Sequence, residues 1–184
     1  MAEIVLHKDL IEKCRSGNQE AQYKLYDLYS HAMFNICMRM MKSKVDAEDV
    51  LQNAFVDVFT KLHQFGYQST PGAWIKRIVI NNCLNHLKKK KMLFEEIDNI
   101  PLVQEPVHIP QQLLSVDKIK SGMMQLAPGF RTVLNLYLME GYDHQEIADI
   151  LDISVSTSKT QYSRAKKKLR EILIEEENSS VLLA

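Results

Sequence analysis

Turn-forming residues are scarce in this chain: 6 Gly and 5 Pro in 184 residues, about half the ~12% that globular proteins average. Few sharp turns suit long helices better than many short strands. Cysteine is nearly absent too. Cys14, Cys37 and Cys83 are odd in number and far apart, which excludes a CxxC or zinc framework and fits a reducing cytoplasm. Long apolar runs are missing. The longest, from Val133 to Met139, is interrupted by Asn135 and falls far short of the ~18–20 residues of a membrane span, so no membrane insertion is expected. The N-terminus carries Glu3, Lys8, Asp9 and Glu12 where a secretory signal needs an apolar stretch. Nor is there an excess of charge of one sign, since 23 Lys and Arg balance 23 Asp and Glu. A hydrophobic content of 46% nevertheless excludes a disordered chain.

The balanced charge is segregated. Residues 76–91 hold Lys76, Arg77, Lys88, Lys89, Lys90 and Lys91 without an acid; residues 159–170 hold Lys159, Arg164, Lys166, Lys167, Lys168 and Arg170, again without one. Acids gather elsewhere, at Asp46, Glu48 and Asp49 and at Glu175, Glu176 and Glu177. A single lysine run is ordinarily a solvated helix end. Two acid-free windows, each on a predicted helix, point to nucleic acid.

Helical periodicity runs through both halves. Residues 18–42 align Ala21, Leu25, Leu28, Ala32, Ile36 and Met40. Asp46 is expected to cap the next helix, which repeats Val50, Ala54, Val58 and Leu62 with Leu51, Phe55 and Phe59 beside them and ends near Gly66. Thr70-Pro71 reads as N-cap and first residue of a helix to about Lys91. Pro101, Pro106 and Pro110 then interrupt any periodicity, marking a linker. Beyond it, Pro128-Gly129 opens a helix with Val133, Leu134, Tyr137 and Leu138 that stops at Gly141. Asp143 and Glu146 form a capping box for a short helix bearing Ile147, Ala148, Ile150 and Leu151. Asp152 suits a left-handed turn, and Ser154 caps a last helix striped with Tyr162, Ala165, Leu169 and Ile172. The expected fold is all-α: a domain over 1–94, a linker over 95–114, a helix-turn-helix domain over 115–177 and a tail over 178–184.

Two constellations carry function. The short helix, tight turn and long basic helix make a helix-turn-helix, where Thr157, Lys159, Thr160, Ser163, Arg164 and Lys167 face outward as candidate contacts to phosphates or base edges; the plain alternative is an αα-hairpin with a lysine-rich face. In the first half, Trp74, Ile78, Asn81 and Asn85 share one helix face with Arg77 adjacent and Lys88 beyond. An aromatic ring and carboxamides suit unstacked bases, although a lone Trp also serves as a core anchor. No nucleophile–base pair or metal-ligand spacing occurs, so neither an enzyme, a metal nor a cofactor is expected.

Taken in order, these motifs resemble an extracytoplasmic-function (ECF, group IV) sigma factor of bacterial RNA polymerase over residues 9–174. Asp46-Ala47-Glu48-Asp49-Val50-Leu51-Gln52-Asn53-Ala54-Phe55 is similar to the family's region 2.2. The resemblance implies that Asp49, Gln52 and Phe55 dock on the clamp of the polymerase β′ subunit. Trp74-Ile75-Lys76-Arg77-Ile78 with Asn81, Asn85 and Lys88 resembles the segment that melts and reads the −10 element. Leu126-Ala127-Pro128 through Leu169 resembles region 4, with Glu146-Ile147-Ala148 and a −35 recognition helix from Thr157 to Ala165. The implied partners are core RNA polymerase (β′ clamp and β subunits), promoter DNA both duplex and single-stranded, and an anti-sigma factor, all in the cytoplasm. The chain departs from the family at Asn53, Asp152, Ser156, Ser158 and Gln161, which bears on the −35 sequence rather than the general role. Two other readings remain: a stand-alone helix-turn-helix regulator of duplex DNA, and a nucleic-acid-modifying enzyme with the Asp46, Glu48 and Asp49 cluster as a metal site. The latter would need a further carboxylate from elsewhere, Asp57 falling about two turns from Glu48 and Asp49.

Overall fold

The computed structural model describes residues 7–90 and 115–182, with side chains to Ser179; Lys91 and the expected linker over 95–114 lie outside the described residues. Among the described residues the chain is helical and has no strand, and it divides into two compact units, Met1–Leu87 and Lys88–Ala184.

The first unit contains α1 (Lys8–Arg15), α2 (Gln19–Met41), α3 (Lys44–Lys61), a 3-10 turn (Leu62–Gln64) and α4 (Pro71–Lys89). Asn18 caps α2 by accepting from the Ala21 amide at 2.8 Å. The buried line along α2 differs from the expected one. It runs through Ala21 and Leu25 to Met33, Ile36, Cys37, Met40 and Met41, while Leu28 is 51% exposed and Ala32 lies outside. Each four-residue step advances about 40° beyond a full turn, so a row held against α3 for 23 residues cannot stay on one vertical line. Asp46 is not the cap of α3. Lys42 takes φ 69 as α2 ends, which places Ser43 next, and its hydroxyl accepts from the Asp46 amide at 3.3 Å. The Asp46 carboxylate instead lies 3.5 Å from His86 Nε2 on α4. Thr70 does cap α4, accepting from the Ala73 amide at 3.2 Å. The buried face of α4 is Ile75, Val79, Ile80, Cys83, Leu84 and Leu87; Val50, Ala54 and Val58 of α3 are buried in the same unit.

The second unit contains α5 (Val116–Gln125), α6 (Pro128–Leu134), a π-helical turn (Asn135–Met139), α7 (His144–Leu151) and α8 (Val155–Leu182). Met123, Leu126, Phe130 and Leu134 close on Ala165, Leu169 and Leu173 of α8. Leu173, not Tyr162 or Ile172, continues the buried stripe, and those two pack at its margin. Gly122 lets α5 approach: a Cβ there would sit 2.8 Å from Leu169 Cδ1. Asp143 and Glu146 form the full capping box of α7, and Asp152 ends it at φ 58, ψ 51, the left-handed region. Ser154 accepts from the Thr157 amide at 3.0 Å to start α8. That helix continues to Leu182, into the segment expected as a tail.

Candidate nucleic-acid interfaces

The apolar face of α4 fixes what its other face offers. With Ile75, Val79, Cys83 and Leu87 turned inward, Arg77, Asn81, Asn85 and Lys88 are exposed, within an arc of about 100° counting 100° per residue. Trp74 lies on the same arc but is half-buried. Its ring packs against Phe65 at 5.3 Å between centroids, and Phe65 meets Tyr67 at 4.9 Å. The single tryptophan is thus partly an anchor and partly a wall beside the exposed face. Asn82, one residue off that face, has a different task. Its amide donates to Asp57 Oδ2 at 3.0 Å and to the Ile78 carbonyl at 3.1 Å. Together with Lys61, 3.0 Å away, the Asn82 amide holds the Asp57 carboxyl below the usual carboxylate range. Asp57 is therefore a brace between α3 and α4. Among the described residues no group of three His, Cys, Asp or Glu could hold a metal ion.

Of the three residues aligned with polymerase docking, Asp49 and Gln52 are exposed, but Phe55 is only 3% exposed. It lies on the side of α3 that meets α2, edge-on to Tyr26 at 4.7 Å, so it supports this surface from within rather than presenting a contact. Two residues that pattern reading missed join the exposed stripe: Val45, 72% exposed, and Val56, 65% exposed. Val45, Asp49, Gln52 and Val56 recur at offsets of 4, 3 and 4, one helical face. That spacing was the available signal, hidden because valine on a helix reads first as core.

In the second unit Lys159 and Ser163 are exposed, while Thr157, Thr160, Arg164 and Lys167 are half-buried. All six occupy the side of α8 opposite Ala165 and Leu169, within about 160° of arc. The Thr157 hydroxyl is 2.7 Å from Ser154 Oγ, so it is partly committed to the turn. Ser158, by contrast, is fully buried. Its Oγ lies 3.0 Å from His144 Nδ1, a hydrogen bond between the two helices of the motif. The His144 ring is packed by Tyr137 at 4.9 Å and Tyr162 at 5.4 Å, and burial pushes the Tyr162 hydroxyl pKa up. Lys166 Nζ sits 4.7 Å over the Tyr162 ring. Neither His144 nor this aromatic group stood out in the sequence, because its members are far apart along the chain.

Two family models match the chain: sigma-70 region 2 over residues 25–92 and sigma-70 region 4 over residues 117–169. The chain is 25% identical over 181 residues to the ECF RNA polymerase sigma factor SigW of Bacillus subtilis (strain 168), covering 90% of this chain and 96% of that one. It is 24% identical to the ECF RNA polymerase sigma-E factor of Escherichia coli (strain K12), covering 92% and 95%. Two solved structures share its fold. CnrH in complex with the cytosolic domain of CnrY superposes with TM-score 0.57 at 23% identity, covering 95% of this chain and 99% of that one. The sigma factor RpoE in complex with the anti-sigma factor NepR from Bartonella quintana gives TM-score 0.56 at 21% identity, covering 82% and 95%.

Proposed function

The chain belongs to the sigma-70 family, as a sigma factor of its ECF group, and from that premise we propose that it binds core RNA polymerase, directs it to a narrow promoter set and captures the melted −10 strand. It performs no covalent chemistry of its own. The stripe of Val45, Asp49, Gln52 and Val56 docks on the β′ clamp, with Phe55 beneath it. The α4 face of Arg77, Asn81, Asn85 and Lys88, with Trp74 as its wall, takes the unstacked −10 bases. The outer side of α8, from Thr157 to Lys167, enters the −35 major groove, and the second unit also meets the β subunit. An anti-sigma factor covers one or both units in the resting cell; the RpoE structure with NepR supports that partner.

The observation that carries this reading is the coincidence of burial with charge. Both basic windows lie on helices whose opposite faces are closed against a core, so Arg77, Asn81, Asn85, Lys88, Lys159 and Ser163 are exposed, with Arg164 and Lys167 half-buried beside them, and the helices cannot rotate away. The test is transcription with purified core polymerase on a promoter library randomised at −10 and −35. The expected result is initiation confined to a shared pair of elements and dependent on the added chain. Sequence-specific duplex binding without any effect on polymerase would favour the stand-alone regulator instead. Metal-dependent cleavage of the library would favour the enzyme.

A further inference from the structure

The segment between α3 and α4 is held from outside by α1, a helix that precedes the region 2 match. Arg15, the last residue of α1, donates from Nε to the Leu62 carbonyl at 3.1 Å and from Nη2 to the Phe65 carbonyl. Its Nη1 meets Glu12 Oε1 at 2.8 Å, and the same carboxylate oxygen accepts from the Tyr67 hydroxyl at 2.5 Å. The guanidinium also lies 5.2 Å from the centre of the Tyr67 ring. The Leu62 and Phe65 carbonyls follow the end of α3; Leu62 already accepts from the Phe65 amide at 3.1 Å in the 3-10 turn, so Arg15 is its second donor. A guanidinium presents its donors in a rigid planar fork, so Arg15 serves both carbonyls and Glu12 at once; an ammonium has three donors too, but on a flexible stem with no fixed fork to set their geometry. Tyr67 has φ 57, uncommon for a bulky residue and kept only where the surroundings over-determine it. Here those surroundings are Glu12, Arg15 and Phe65. From Phe65 the ring contacts pass directly to Trp74, in the first turn of α4.

We propose that Arg15 is a positioning residue for −10 recognition. It touches no DNA. By clamping the 62–67 segment it sets the Phe65 and Tyr67 rings, and through them the orientation of Trp74 beside Arg77 and Asn81. The inference rests on the reading that the α4 face takes the −10 bases. It adds a determinant that lies outside that face, on a different helix.

The experiment measures initiation by core polymerase plus this chain, wild type or variant, on a library randomised across the −10 segment at a fixed −35. Active fraction is normalised by titration with core polymerase. Arg15→Ala is expected to flatten the −10 preference about tenfold while leaving core affinity and −35 preference unchanged. Arg15→Lys should recover only part of it, and Tyr67→Phe, which keeps the ring and loses the bond to Glu12, should show a smaller loss. A purely structural role would lower the active fraction and leave the preference as it was. An unchanged −10 preference in Arg15→Ala overturns the proposal alone, and full recovery by Arg15→Lys overturns the two-carbonyl clamp on which it stands. A wild-type chain that supports no −10-dependent initiation overturns the underlying reading and this proposal with it.

Discussion

The hydrogen bond between His144 and Ser158 offers a sharp test of how the helix-turn-helix is held. Replacing His144 by Phe keeps a ring between Tyr137 and Tyr162 but removes the nitrogen 3.0 Å from Ser158 Oγ. The hydroxyl is then stranded at a site with 0% exposure. A buried polar group left without its partner costs about 1–3 kcal/mol. Ser158 can turn toward the Ser154 carbonyl, as helical serines do, but that carbonyl already accepts from the Ser158 amide at 3.0 Å, so relief is partial and about 1–2 kcal/mol is expected. Ser158→Ala leaves His144 Nδ1 unpaired on a half-buried ring that water reaches, and should cost less, ~0.5–1 kcal/mol. The double variant strands nothing. It should be no worse than His144→Phe alone, giving a coupling energy of about 1 kcal/mol. Because the chain has two units, a single melting curve is ambiguous. Native-state hydrogen exchange of the α7 and α8 amides in the full chain reads the second unit separately. Single-variant effects that add to within ~0.3 kcal/mol would show that the two side chains merely lie near each other, and the reasoning would fail.

Asp49→Arg should weaken binding to core polymerase by about 2 kcal/mol or more, measured by fluorescence anisotropy with the folded state checked by circular dichroism; unchanged affinity rejects the stripe as the docking surface. Lys167→Ala, if it meets only phosphate, should weaken all promoter sequences alike and lower the salt slope by about 1, whereas Arg164→Ala should cost ~1–3 kcal/mol and relax preference at one −35 position. Asn81→Ala should cripple initiation on duplex template and recover partly on a template already opened around −10, since unstacking a base costs a few kcal/mol; equal wild-type activity on both removes it from the site. Burial, then the Glu12 carboxylate, pushes the Tyr67 hydroxyl up to about 12. A raised pKa contributes stability below the ordinary value near 10 and loses it as pH climbs through 12, so alkaline unfolding should steepen across that window and Tyr67→Phe should abolish that component.

Local signals in the sequence were dependable where one residue type decides one backbone feature. Thr70-Pro71, the Asp143–Glu146 box, Ser154 and left-handed Asp152 all stand where their chemistry puts them. Ser43 and Asp46 are equally good caps by type, and only the left-handed Lys42 that closes α2 selects between them. The exposed face of α4 was legible because its apolar and polar positions separate cleanly. That of α3 was not. Phe55, Val45 and Val56 are all apolar, and what distinguishes the buried one is Tyr26 arriving from α2. Ser158 falls on the buried stripe of α8 by spacing alone, but the partner that makes it tolerable, His144, is set by how α7 crosses α8. Periodicity within one helix carries no information about such crossings.

The zero net charge still has to be reconciled with two proposed DNA-binding surfaces, and α8 shows how. Its cations run from Lys159 to Arg170 and its acids from Glu171 to Glu177. The two blocks meet where Lys168 pairs with Glu171 at 3.1 Å, but at 1.5 Å per residue Lys159 lies about 18 Å from the first acid along the helix. The Debye length at physiological salt is ~8 Å, so the acids do not cancel the potential at the cationic end. Nor are the acids idle. Glu177 pairs with Lys118 at 3.0 Å, and Glu176 accepts from Gln125, both on α5, so they hold the far end of α8 to its own unit. The order of charge along the helix runs against the macrodipole, which favours acids early and bases late. Helix stability therefore does not explain it. The proposed polyanion at the early end and an intramolecular clasp at the far end would, and a chain whose total charge is zero can still present a basic surface at the end of a helix that lies about two screening lengths from its acids.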